Sequence, residues 1–196
     1  MNAGEFRERV EVLGLNVEGS EWRWEPESRI WAKAERQDKS NLFSSVGMGA
    51  KSVKFTVRQR PLTLHNAFRW KGKHCFLTDM KDIDRMYWEV SAALVEPTAC
   101  CLFRRTDSVD EYKRPVHTEP QKILTFPAIL TEKYFGFVQN IPMAQTQTTF
   151  VLVTPKEVAL KTADLVEVND ARYAVRICHT LDEYKNEYEI AREEEP

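Results

Sequence analysis

Glycine and cysteine are both scarce in this chain. Its 7 glycines include no phosphate-cradling loop, because Gly47-Met48-Gly49 lacks the Lys-Ser/Thr that completes a P-loop, and that class of nucleotide-handling enzyme is excluded. The 4 cysteines, Cys75, Cys100, Cys101 and Cys178, are too few and too irregularly spaced for a disulfide scaffold. Cys75 and Cys178 lie in apolar strand-like runs, where buried free thiols are usual, so a reducing compartment is expected. Long apolar runs are missing too: nothing approaches the ~18 residues of a membrane-spanning helix. Charges in Glu5-Phe6-Arg7-Glu8-Arg9 occupy the place of a signal peptide's apolar core, so the expectation is assembly in the cytoplasm without a membrane partner. Nor does one charge sign dominate. The 28 Lys plus Arg against 30 Asp plus Glu give a net charge of −2, which excludes the broad basic footprint of a dedicated nucleic-acid binder.

What the chain does have is apolar and aromatic material, 42% and 11%, enough for packed cores. Five segments, 6–13, 29–35, 52–60, 73–80 and 86–95, carry β-branched and aromatic residues between turn-like stretches. In 52–60, Val53, Phe55 and Val57 alternate with Lys54, Thr56 and Arg58, the pattern of a half-buried antiparallel strand. Turns are expected at Trp70-Lys71-Gly72-Lys73 and Asp82-Ile83-Asp84. Five short strands in under 100 residues point to a small barrel or sandwich.

The second half repeats the order of the first. Thr149-Phe150-Val151-Leu152-Val153 resembles Lys54-Phe55-Thr56-Val57-Arg58, with 150 − 55 = 95. Trp70-Lys71-Gly72-Lys73 corresponds to Val168-Asn169-Asp170-Ala171, with 168 − 70 = 98, and Tyr87-Trp88-Glu89-Val90 to Glu187-Tyr188-Glu189-Ile190, with 187 − 87 = 100. A rising offset is the signature of duplication followed by loop insertion. The predicted fold is therefore all-β, two tandem small antiparallel β-barrels or sandwiches with long loops, spanning 1–97 and 98–196. The halves differ in charge: 16 basic and 14 acidic residues (+2) against 12 and 16 (−4), which suits different neighbours. Residues 181–195 read either as an amphipathic helix through Leu181, Tyr184 and Tyr188 or, by the repeat, as a turn at Asp182-Glu183 and a strand near Tyr188. The repeat favours the strand.

No catalytic constellation emerges, and no cofactor or metal is expected. His74-Cys75 and Cys178-His179 are the only His/Cys pairs, and adjacent strand residues point to opposite faces, so each pair offers a given site one ligand where closed zinc sites need about four. The one concentrated basic set is Lys51, Lys54, Arg58 and Arg60, with Arg69, Lys71 and Lys73 later. On a strand, Lys54, Arg58 and Arg60 share a face that either meets phosphates or an acidic partner or is simply solvated. The matching Thr149, Val151 and Val153 make an apolar outer face, which suggests a protein contact. Segments 40–50 and 134–148 are long connections at the same place in each repeat, candidate partner or channel loops that alternatively cap the barrel. Their candidate contact residues are Ser40, Asn41, Leu42 and Phe43, then Tyr134, Phe135, Phe137, Gln139 and Asn140.

Gly4-Glu5-Phe6-Arg7-Glu8-Arg9-Val10, Arg29-Ile30-Trp31-Ala32-Lys33-Ala34-Glu35, Trp70-Lys71-Gly72-Lys73 and Trp88-Glu89-Val90 together resemble the head-tail adaptor or head-closure (stopper) proteins of long-tailed bacteriophages. In the second half, Leu102-Phe103-Arg104-Arg105-Thr106, Asp110-Glu111-Tyr112-Lys113-Arg114-Pro115 and Phe126-Pro127-Ala128 resemble the same family in the same order. The resemblance implies a non-enzymatic virion protein of the head-tail neck, assembled in the host cytoplasm. It implies a ring of copies of itself, with a hexamer preferred because the chain is a tandem copy. It also implies partners: portal and adaptor proteins, tail terminator or tail-tube proteins, and packaged double-stranded DNA passing without sequence specificity. The alternative class is a single-strand nucleic-acid-binding barrel, with Trp22, Trp24 and Phe55 as stacking surfaces beside Lys54 and Arg58.

Overall fold

The computed structural model describes residues 3–40, 43–105, 108–109, 115–116, 119–133 and 149–193. The fold is all-β. After a 3-10 turn at Ala3–Glu5, the strands in chain order are β1 (Glu8–Glu18), β2 (Glu21–Ser40), β3 (Ala50–Arg58), β4 (Ala67–Trp70), β5 (Lys73–Ile83), β6 (Tyr87–Val95), β7 (Thr98–Arg104), β8 (Ser108–Val109), β9 (Pro115–Val116), β10 (Gln121–Glu132), β11 (Thr149–Pro155), β12 (Leu165–Val168), β13 (Ala171–His179) and β14 (Lys185–Arg192). The chain divides into two compact units, Met1–Asn16 with Arg23–Pro97, and Val17–Trp22 with Thr98–Pro196.

The first unit is a closed ring of strands, β1-β4-β5-β6-β3-β2 with β2 returning to β1. Closure leaves no open sheet edge. The alternation of β3 sends Val53, Phe55 and Val57 inward, where they join Val10, Val12, Phe68, Trp70, Leu77, Val90 and Ala92 in one core. The Phe55 ring meets Phe68 and Trp70 edge-on, centroids 5.5 and 5.6 Å away. β4 lies outside the five predicted segments, since four residues are too short to display a period, yet Ala67, Phe68 and Trp70 are all buried. The expected turn at Asp82-Ile83-Asp84 is displaced: β5 runs through Ile83, which pairs with Tyr87, and the reversal uses Asp84 and Arg85 at φ 58° and 55°.

The second unit has the same connectivity, β7-β12-β13-β14-β11-β10 with β10 returning to β7. The agreement extends to single residues. Lys71-Gly72 (φ 50° and 74°) joins β4 to β5, and Asn169-Asp170 (φ 50° and 61°) joins β12 to β13. Both are two-residue reversals with positive φ at each central residue, the geometry that matches strand twist. A register break falls between Leu77 and Asp79 in the first ring and between Val175 and Ile177 in the second, and 175 − 77 = 98. The same offset holds in the last strand, where Val90 pairs Met80 and Tyr188 pairs Cys178, so 188 − 90 = 98 and not 100. Phe55 faces Val90 and Leu152 faces Tyr188, which puts Leu152, not Phe150, in the place of Phe55 (152 − 55 = 97). Similar-looking residues misalign these strands; pairing partners align them.

Lys185–Arg192 is a strand, paired on both sides, to β11 and to β13. Asn186, Tyr188 and Ile190 face inward, and two ladders of hydrogen bonds outweigh the local helix propensity. The Tyr188 hydroxyl accepts from the Leu160 amide (3.0 Å) and donates to the Val158 carbonyl (3.2 Å), closing the core beneath the 156–164 connection.

Candidate functional site

Of the loop residues singled out above, Asn41, Leu42, Tyr134, Phe135, Phe137, Gln139, Asn140 and the Ser40 side chain lie outside the described residues. The Ser40 backbone ends β2, paired with Ala50. Phe43 is not an exposed anchor. It is 2% exposed and meets Phe76 edge-on at 5.9 Å, because Phe76 points outward from β5 and its ring needs cover. The Ser44 hydroxyl accepts the Gly47 amide at 2.6 Å and ties this stretch down.

The basic row does not act as one face. Lys54 is half-buried and paired with Glu89 at 3.0 Å, so its charge is compensated. Lys51, near the start of β3, borders a small hollow with Arg36, Trp70, Lys71 and Lys73. The Lys71 ammonium lies 4.6 Å from the centre of the Trp70 ring, a cation-π contact. Arg58 and Arg60, at the other end of β3, join Arg29 around a cavity of about 550 Å³ whose remaining walls are Phe6, Ile30, Trp31 and Gln59. Register explains the meeting: Ala32 pairs with Val57, so the next step along the antiparallel ladder sets Trp31 opposite Arg58. Sequence reasoning finds Arg58 and Arg60 but misses Arg29 and Trp31, which lie on the preceding strand; antiparallel pairing of consecutive strands is the signal that would have joined them.

The cavity is built, not incidental. Trp31 is 60% exposed at its rim. Phe6 stacks on Tyr87 with centroids 5.4 Å apart, and the Trp88 indole N–H donates to the Arg60 carbonyl at 3.3 Å. Arg29 Nε donates to Glu11 at 3.0 Å and an Arg60 terminal nitrogen to the Ser28 hydroxyl at 3.1 Å. Arg60 Nε is buried without a hydrogen-bond partner, and Arg58 is exposed with no ion pair among the described residues. The exposed Arg58 guanidinium is open to carboxylate or phosphate oxygens in a planar, two-point fashion, whereas Arg60 has its Nε buried and one terminal nitrogen on Ser28.

In the second unit, Val151 and Val153 are fully buried, so the expected apolar outer face is not an open surface. Nearby, burial alone would raise the Glu189 carboxyl, but hydrogen bonds from Lys133 (2.6 Å) and His179 (3.1 Å) hold it below the ordinary carboxylate range. Of the aromatic residues of the nucleic-acid reading, Phe55 is wholly buried and offers no stacking face, while the half-buried Trp22 packs against the second core and the half-buried Trp24 lies 5.4 Å from the His74 ring.

His74 and Cys75 are buried, whereas Cys178 is half-buried against the second core and the His179 side chain is 41% exposed beside Glu189. Among the described residues no cluster of three or more His, Cys, Asp or Glu is placed to hold a metal ion. Burial pushes the Cys75 and Cys100 thiols up to about 12, which keeps them protonated and unreactive. Burial, aided by the Arg69 charge, pushes His74 down to about 4. Folded His74 is then neutral where the unfolded chain's histidine is protonated, so stability is complete above about pH 6.5 and is lost as pH falls towards 4. The expected loss is roughly 3 kcal/mol, and His74→Gln should remove that part of the acid slope in urea titrations run across this window. An equal slope in both proteins would show that His74 does not titrate this way.

Compared with protein-family models, curated proteins and solved structures, the chain shows no match to any.

Proposed function

We propose that this chain is a structural subunit of the head-tail connector of a long-tailed bacteriophage. In this reading it is a ring-forming head-closure or adaptor component that binds the portal complex, helps retain packaged DNA and offers tail proteins their attachment surface. One observation carries the reading: two closed six-stranded rings share one strand order and one register break, in a chain whose motifs follow the order of that family twice. The physics of the role is consistent with this. A connector works by repeated modest contacts that ring closure multiplies, rather than by a reaction centre. DNA must also slide past it, and a chain of net charge −2 lacks the counterion-driven grip of a cationic lumen.

Two rings per chain would let six chains present twelve barrels to a portal. Mixing the purified chain with the portal protein of the same virus is expected to give ring-shaped complexes in negative-stain images. A mixture in which both proteins sediment as they do alone would overturn the reading.

A further inference from the structure

The cavity walled by Phe6, Ile30 and Trp31 and edged by Arg29, Arg58 and Arg60 has a complement elsewhere on the same chain. At the reversal between β13 and β14, Leu181 is fully exposed and Glu183 is exposed, with no ion pair among the described residues. The turn that carries them is pinned. The Lys156 ammonium donates to the Thr180 carbonyl at 2.7 Å and to the Asp182 carbonyl, while the Lys156 amide donates to the Tyr184 carbonyl at 3.2 Å. A leucine held in water on a fixed turn loses little further freedom when it docks.

We infer that the Leu181-Asp182-Glu183 turn of one copy inserts into the arginine-edged cavity of a second copy. Leu181 covers the apolar wall of Ile30 and Trp31, and the Glu183 carboxylate meets Arg58 and Arg60. Free phosphate would use the guanidinium groups but leave the apolar wall wet, whereas an apolar tip beside a carboxylate uses both. The charges of the two halves, +2 and −4, favour the same pairing. Knob and cavity lie on different units, so the contact is heterologous, the kind that generates rings when the rotation closes. The inference rests on the connector reading for the ring, but not for the contact itself.

The test is sedimentation velocity on the full chain without portal protein. The wild type is expected to associate with rising concentration, and Arg58→Glu, Glu183→Arg and Leu181→Asp each to weaken association by roughly tenfold or more. The positions are exposed, so folding is not at stake. Arg58→Glu combined with Glu183→Arg should restore association. A mixture of Leu181→Asp, which keeps its cavity, with Arg58→Glu, which keeps its knob, should stop at dimers. A wild type that stays monomeric, single variants that associate normally, or a double variant that fails to recover would each overturn the contact. Portal binding by a chain whose variants all associate normally would sink the contact and leave the connector reading standing; a chain that self-associates as described but ignores portal protein does the reverse.

Discussion

Replacing Phe55 by alanine is expected to lower the stability of the first unit by about 3–5 kcal/mol, the range for emptying a buried aromatic site. Phe55 is wholly buried at the middle of β3, its backbone paired with Ala34 on one side and Val90 on the other. Its ring is the shared neighbour of Phe68 and Trp70, so truncation removes two edge-to-face contacts along with the apolar area. A closed ring cannot collapse onto the vacancy without shearing its registers, which argues for the upper part of the range. The measurement is the urea midpoint at unchanged slope, with hydrogen exchange expected to quicken at β3 and β6 amides. Phe55→Leu, which refills most of the volume, should recover more than half of the loss. A loss below about 1 kcal/mol would mean that the core is not organised around this ring.

That prediction could be framed from sequence alone, because the alternation of Val53, Phe55 and Val57 against Lys54 and Thr56 marks a strand with one buried face. The Lys71-Gly72 reversal was legible for a similar reason: glycine beside a polar residue is what a two-residue hairpin with positive φ requires. Registers were not. Phe150 looks like Phe55, but Leu152 takes its place, since position inside a ring is set by the partner across the ladder and not by residue likeness. The arginine-edged cavity stayed hidden because its members come from the first turn, β2 and the end of β3, and only strand pairing gathers them. Sequence left two readings open for Phe43, partner contact or cap, and its burial against the outward Phe76 ring agrees with the cap.

The second large effect lies in the buried charges of β14. Lys185 and Glu187 sit two residues apart on the same face of the strand, 2.7 Å from ammonium to carboxylate, with side chains only 2% and 4% exposed. Lys185 also lies 3.6 Å from the Asp182 carboxylate. Two charges out of water depend on each other, and removing Lys185 takes from the buried Glu187 carboxylate the ammonium 2.7 Å away. Lys185→Met, which keeps the length of the side chain, is therefore expected to cost about 3–5 kcal/mol at neutral pH. Glu187→Gln, which keeps the shape and one acceptor oxygen, should cost less. The informative variant is the double one. Lys185→Met with Glu187→Leu replaces the ion pair by apolar volume, and should return to within about 1 kcal/mol of the wild type or exceed it, because the desolvation cost of both charges disappears together. Unfolding in urea, repeated at low and high salt, reads out both points: a pair this buried is expected to keep its contribution when salt screens surface charges. If the double variant is as unstable as Lys185→Met alone, the pair is not a self-contained unit, and the lysine is needed for its own packing on the outer side of β14.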